Sequence, residues 1–217
     1  MAKHINAITA ENNLFRTYTL GKSIVFHKTK EDFGGLSNMA SGYPLLINRI
    51  HIQTTEALYQ ACRFPHLPSV QTEIIGQNNP MTAKMKSRQN HNNSRQDWND
   101  IRYKVMRWCL RVKLAQNYDK FGHLLLETRN LPIVELSHKD VYWGAKLANR
   151  SGDVLIGQNI LGRLLMELRE KLKNDSDETL KTVPPLGVPD FLLLGEPIDI
   201  VTNRNSNDYD RSQYSLF

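Results

Sequence analysis

At 217 residues and 25.0 kDa the chain can bury one substantial core but not two large ones, and two cysteines, Cys62 and Cys109, are too few for a disulfide framework or a zinc knuckle. Lys and Arg number 28 against 22 Asp and Glu, a formal charge of +6 and a pI near 9.3, which favours a polyanionic partner such as nucleic acid or a phosphate-bearing substrate without requiring one. The opening "MAKHINAITAENN" lacks the regions of a signal peptide and no run of about 18 apolar residues occurs, so the expectation is a cytoplasmic protein with no membrane partner.

Residues 23–27 ("SIVFH") and 45–52 ("LLINRIHI") are β-branched and bounded by Gly, Pro and Asn, which predicts two strands. Between them, "DFGGLSNMASGYP" (32–44) has glycines that permit close backbone approach, with Ser37 and Asn38 able to hydrogen-bond a ligand. It matches neither phosphate-loop signature, and a plain surface turn is an equal reading. Helices are predicted over 55–64, 69–77, 80–89 (opened by Pro80), 97–117, 119–127 and 157–172. A short strand at 132–136 and a glycine-punctuated segment from Trp143 to Gly157 separate the last two. After Leu172 the chain reads as a tail: a flexible linker, "KNDSDETLK", then the apolar "VPPLGVPDFLLLGEPIDIV", then a polar end. Prolines at 184, 185, 189 and 197 forbid a continuous helix there, and the apolar part is expected to dock on the domain or on a partner.

The helix "WNDIRYKVMRWCLRVKLAQN" (98–117) carries cations on its apolar side. With about 100° per residue, Trp98, Ile101, Val105, Met106, Cys109, Leu110 and Val112 cluster around Arg102, and Lys113 falls almost directly over it. Lys104, Arg107, Arg111 and Asp100 form the opposite, solvated face. Arg102 and Lys113 then either snorkel or pair with acids, or else meet a ligand. A partly buried lysine amine has a lowered pKa, which suits a phosphate contact or nucleophilic attack on a carbonyl-like carbon.

Glu56 opens the helix "TEALYQACRF", where the dipole stabilises a carboxylate. Glu56, Gln60 and Arg63 recur at i, i+4, i+7, a stripe that is either solvated or lines a cleft in which Glu56 is held ionised. In "IVELSHKDVYWGAK", His138 has no partner at defined spacing, and Asp140, three residues before Trp143-Gly144, is either a turn residue or a group that fixes a sugar hydroxyl beside an aromatic platform. No His, Cys or carboxylate cluster has ligand spacing, so neither a metal nor another cofactor is expected.

In order along the chain, "LSNM", "TTEALYQACRF", "NPMTAKMKSR", "WNDIRYKVMRWCLRVKLAQN", "LLLETRNLPIVELSHKDVYWG" and "GQNILGRLLMELR" resemble the motifs of the NADAR, or YbiA-like, family. The resemblance covers residues 24–172 and neither terminal extension. It departs at Ala57, Arg63 and Ser87, where the family pattern has His, Lys and Gly, whereas Glu56, Arg88, Trp98, Lys113, Glu135, Asp140, Trp143, Asn159 and Gly162 stand where the pattern puts them.

The resemblance implies an α+β, mainly helical single domain with a small β-sheet over 22–172, an extension over 1–21 and a linker and docking tail over 173–217. It implies an N-glycosidase that removes ADP-ribose from guanine bases of DNA, an antitoxin to a DNA ADP-ribosyltransferase toxin. The alternatives are an N-glycosidase for a riboflavin-pathway or other free ribosyl nucleotide, or a non-catalytic ADP-ribose binding module. Glu56, Lys113 and Asp140 are the implied catalytic residues: Glu56 supports positive charge at C1 of the ribose or activates water, Lys113 captures C1 as a Schiff base, and Asp140 positions hydroxyls or protons. Arg88 would meet the pyrophosphate and Trp98 or Trp143 would stack on a base or sugar. Ser37, Asn38, Gln60, Arg102, Gly144, Asn159 and Gly162 complete the implied substrate-binding set.

Overall fold

A computed structural model describes residues 14–148 and 152–203. The opening residues read above for a leader, and the polar end from residue 204, lie outside the described residues. In chain order the elements are β1 (Arg16–Thr19), β2 (Ile24–Phe26), β3 (Leu45–Ile47), β4 (Ile50–Ile52), α1 (Thr55–Ala61), α2 (Pro68–Ile75), α3 (Pro80–Gln89), α4 (Trp98–Gln116) and α5 (Tyr118–Glu127). They continue with β5 (Ile133–Glu135), β6 (Lys146–Leu147), β7 (Val154–Gly157), α6 (Ile160–Lys173), β8 (Thr182–Val183), β9 (Leu192–Leu193), β10 (Glu196–Pro197) and β11 (Val201–Thr202). The class is α+β, as expected. The described residues form two compact units, one from residues 14–40, 124–148 and 152–173, the other from residues 41–123 and 174–203.

The first unit is built on backbone layers. β1, β7 and β6 form an antiparallel sheet in that order, and β2 pairs with β5 in parallel. Val134, Ala145 and Leu155 form one buried cluster in it with Tyr18, Val25 and Leu136 packed against them, so β1, which falls in the expected N-terminal extension, contributes a partly buried side chain to that packing. α6 lies on β5, and a Cβ at Gly162 would come within 2.1 Å of the Ile133 carbonyl oxygen, so glycine is what permits the approach. The buried Arg169 ties the loop before β5 to α6, donating to Thr128 Oγ1 and to the Leu131 carbonyl, each at 2.8 Å.

The second unit is mainly helical. Residues 45–52 form a hairpin rather than the one strand predicted, because Asn48 and Arg49 both adopt left-handed conformations (φ 49° and 65°) and make a two-residue turn. The Thr54 hydroxyl caps α1 by accepting from the Ala57 N–H, and Asn79 with Pro80 opens α3 in the same way. α1, α2 and α3 pack on one another, and α1 packs on α4.

The segment after α6 is folded where a flexible linker was expected, and its apolar part docks on the domain, one of the two outcomes expected of it. The Asp175 carboxylate accepts from Tyr118 OH, Thr179 Oγ1 and the Leu180 N–H, which folds the expected linker into a turn. Phe191, Leu193, Ile198 and Val201 are buried, β8 pairs with β11 and β9 with β10. This segment packs on α4 and reaches the face predicted to be solvated, where Arg111 donates to the Thr182 carbonyl at 3.5 Å; beside it the Trp108 indole N–H donates to the Pro184 carbonyl at 2.9 Å, and its ring meets Phe191 edge-on at 4.8 Å. Proline prevented a helix but not a strand-and-turn cover.

Candidate active site

Helices α1, α3 and α4 gather a carboxylate and four cations in the second unit. Glu56, in the first turn of α1, is 2% exposed, so the polar stripe on this helix is interior. Gln60, one turn on, is also buried and donates from Nε2 to Glu56 Oε1 at 2.8 Å, which orients the carboxyl group. Burial raises the Glu56 pKa, opposed by the positive charge of Lys84, the Gln60 hydrogen bond and the charge of Arg88. Glu56 is therefore not simply an ionised carboxylate. It is a group whose protonated and charged forms lie closer in energy than on a surface, suited to giving and taking a proton.

Arg63 and Arg102 extend the positive region. Arg63 Nε donates to Ser94 Oγ at 2.6 Å and its guanidinium lies 5.6 Å from the centre of the Trp98 ring, which Tyr59 meets at 5.1 Å. Desolvation lowers the Arg63 pKa, which the Tyr59 charge raises and neighbouring Arg102 lowers further. Trp98, only 6% exposed, thus positions Arg63, and Arg88 is exposed on α3. Cys109 and Cys62 are buried free thiols, and burial, then Cys62 and then Glu56 push the Cys109 pKa up, which keeps it protonated.

Lys113 is inward, as its azimuth predicted, and wholly enclosed. Its Nζ lies 4.2 Å from the centre of the Phe121 ring and 4.4 Å from that of Tyr43. Burial drives its pKa well down, and the like charge of Lys120 drives it further. The amine is held toward its neutral, nucleophilic form inside an aromatic wall.

The other implied site residues belong to the first unit. Asp140 is exposed, and its Oδ1 accepts the N–H groups of Tyr142 and Trp143 at 3.0 and 2.9 Å, the geometry of a turn-forming aspartate. Trp143 is half-buried with its ring edge-on to Tyr142. The Asn159 amide is engaged by β5, with Oδ1 accepting from the Glu135 N–H and Nδ2 donating to the Ile133 carbonyl. Gly144 and Gly162 allow backbones to touch, since a Cβ at Gly144 would lie 2.4 Å from the Glu135 carbonyl oxygen. Ser37 and Asn38 are buried in the glycine-rich loop, where Ser37 Oγ accepts from the Met39 N–H. Asp140, Gly144, Asn159 and Gly162 thus have defined structural tasks beside any contact with a ligand.

Residues 25–173 match the model of the NADAR domain. The chain belongs to the NADAR family. N-glycosidase YbiA of Escherichia coli (strain K12) is 35% identical over 149 residues, 69% of this chain and 88% of that protein. The NMR structure of E. coli YbiA superposes with a TM-score of 0.59 at 31% identity, covering 72% of this chain and 89% of that one. Riboflavin biosynthesis protein VVA0006 of Vibrio vulnificus (strain YJ016) is 32% identical over 167 residues, 76% of this chain but 42% of that longer protein.

In this NADAR chain the matched region stops where the α4 cover begins and starts after β1. Sequence reasoning did not assign Arg63 or Tyr59 to the site. Their signal was positional: Tyr59 lies one turn after Glu56, and Arg63 one turn after Gln60. Among the described residues no three His, Cys, Asp or Glu side chains come together to hold a metal ion, and no helix is long and apolar enough to cross a membrane.

Proposed function

We propose that the protein is a cytoplasmic N-glycosidase that removes ADP-ribose from guanine bases of DNA and so counteracts a DNA ADP-ribosyltransferase toxin. The observation that carries this reading is the buried, Gln60-oriented Glu56 carboxyl with the charges of Lys84 and Arg88 acting on it. As the bond from ribose C1 to the guanine nitrogen stretches, its electron pair moves to the base and positive charge develops at C1. Ionised Glu56 stabilises that charge, accepts a proton from the attacking water as its oxygen bonds to C1, and passes that proton to the departing base nitrogen, which regenerates the carboxylate. Arg63 and Arg102 suit a pyrophosphate, with arginine forks matched to its oxygens. Lys113 supports a covalent variant, in which its neutral amine displaces the guanine amine from the ring-opened C1, leaving a Schiff base that water then hydrolyses to ADP-ribose and the free lysine.

The relatives named for N-glycosidase activity and for riboflavin biosynthesis favour a second reading, hydrolysis of a free ribosyl nucleotide. Incubation with an oligonucleotide bearing ADP-ribose on one guanine separates the readings. Free ADP-ribose and restored guanine, measured by liquid chromatography and mass spectrometry, are expected. Release from free ribosyl nucleotides alone would establish the second reading, and tight binding of an oligonucleotide that stays intact would leave only a binding module.

A further inference from the structure

The segment 77–96, "QNNPMTAKMKSRQNHNNSRQ", contains Lys84, Lys86, Arg88 and Arg95 and no acidic residue. Two of these cations are engaged away from the face of interest: Lys86 pairs with Glu73 at 3.5 Å, and buried Arg95 pairs with Asp97 while donating to the Pro189 carbonyl. At about 100° per residue, Met81, Lys84, Met85 and Arg88 fall within an arc of about 100° on α3. Ala83 and Ser87 lie on the opposite side and are buried. Met81 and Met85 are 56% and 53% exposed, although both are large and apolar. An exposed helix face that alternates thioethers with cations is not an ordinary solvated face. It offers polarisable surface to flat rings and charge to phosphates on one line. The line adjoins the site, since α3 packs on α1, the helix that carries Glu56, and the charges of Lys84 and Arg88 act on that carboxyl. Exposed Asn92 and Asn93 continue the acid-free surface beyond the helix.

We propose that the stripe Met81, Lys84, Met85 and Arg88 is the surface along which single-stranded DNA flanking the modified base runs, with bases against the methionines and phosphates on the cations. This rests on the reading of Glu56 as the centre of a DNA-directed N-glycosidase, and it adds how a strand rather than a free nucleotide is held.

The test uses the full chain and an unmodified, end-labelled oligonucleotide of about twelve nucleotides, followed by fluorescence anisotropy at several salt concentrations. Met81→Glu/Met85→Glu, whose folding is checked by circular dichroism, should weaken binding at least about tenfold, the order expected for one lost base stack with added repulsion. Lys84→Gln/Arg88→Gln should reduce the slope of log K against log salt by about 1.4, two single-strand phosphate contacts. Hydrolysis of a free ribosyl nucleotide by the methionine variant should stay within about twofold of the parent, because neither methionine touches Glu56 chemistry. No binding by the parent protein, or equal binding by the methionine variant, overturns the surface even if Glu56-dependent hydrolysis of a free nucleotide persists. Binding that responds as expected while neither substrate is hydrolysed supports the surface and overturns the glycosidase reading instead.

Discussion

Glu56 and Lys113 are both ionisable groups removed from water within one compact unit, and burial pushes each toward its neutral form. Their surroundings differ. Around Glu56 the burial is opposed by Lys84, Arg88 and the Gln60 amide, so charge on the carboxyl is penalised by desolvation but answered by dipoles and cations. Around Lys113 burial is compounded by Lys120, and two aromatic faces lie against the amine, each worth about 0.5–2 kcal/mol to an ammonium. The carboxyl is poised to cycle between forms. The amine is pressed toward one. A group that must gain and lose a proton within a turnover needs the first setting, whereas a nucleophile needs only the second.

The sharpest break in this comparison concerns the amine. Borohydride added during turnover should trap ADP-ribose on Lys113, and Lys113→Arg should abolish trapping and turnover together, because guanidinium keeps the charge but is a very poor nucleophile. An adduct mapped to Lys84 or Lys86 would move the covalent step to α3.

The next effect is on the scaffold that supports both groups. Phe191→Ala should cost about 3 kcal/mol or more in urea unfolding, because it empties the contact with Trp108 on the covered side of α4, the helix that carries Lys113. A loss under about 1 kcal/mol would show that the cover packs loosely.

The two groups also leave opposite signatures in stability against pH. With its pKa lowered in the folded state, Lys113 lets the unfolded chain bind more protons below 10.5, so its contribution makes stability rise with pH through that window and disappears in Lys113→Met. With its pKa raised, Glu56 makes the folded chain bind more protons above 4.5, so its contribution makes stability fall as pH rises there. Urea midpoints of the parent and of Lys113→Met across pH 5–10 read the first sign directly, and parallel curves would contradict the enclosure of the amine. The smallest effect belongs to Asp140→Ala, which removes two turn hydrogen bonds and should cost about 1 kcal/mol with turnover reduced less than tenfold. A loss of a hundredfold or more at unchanged stability would return Asp140 to the chemistry.

Much of this was legible because helices announce themselves by period: the extent of α3 and the inward arc of α4 follow from spacing and Pro80. Three features were not. Arg111 sits on the arc read as solvated and Trp108 was assigned to neither face, and only the folded segment beyond α6 shows what covers them. β1 is a four-residue, mostly exposed strand that gains identity from β7, a pairing about 140 residues away in sequence that no local pattern encodes. The stripe of Glu56 and Gln60 has the same spacing whether wet or dry, so its burial required the helices packed over it.

Glu56 is the group on which turnover depends most directly, and the deciding measurement is single-turnover release of ADP-ribose from a modified oligonucleotide by the parent and by Glu56→Gln. The glutamine keeps the shape and the neighbourhood of Gln60 but can neither ionise nor carry a proton. The account predicts release slowed at least about a hundredfold with ADP-ribose affinity little changed. Near-normal release by a folded Glu56→Gln protein would contradict it.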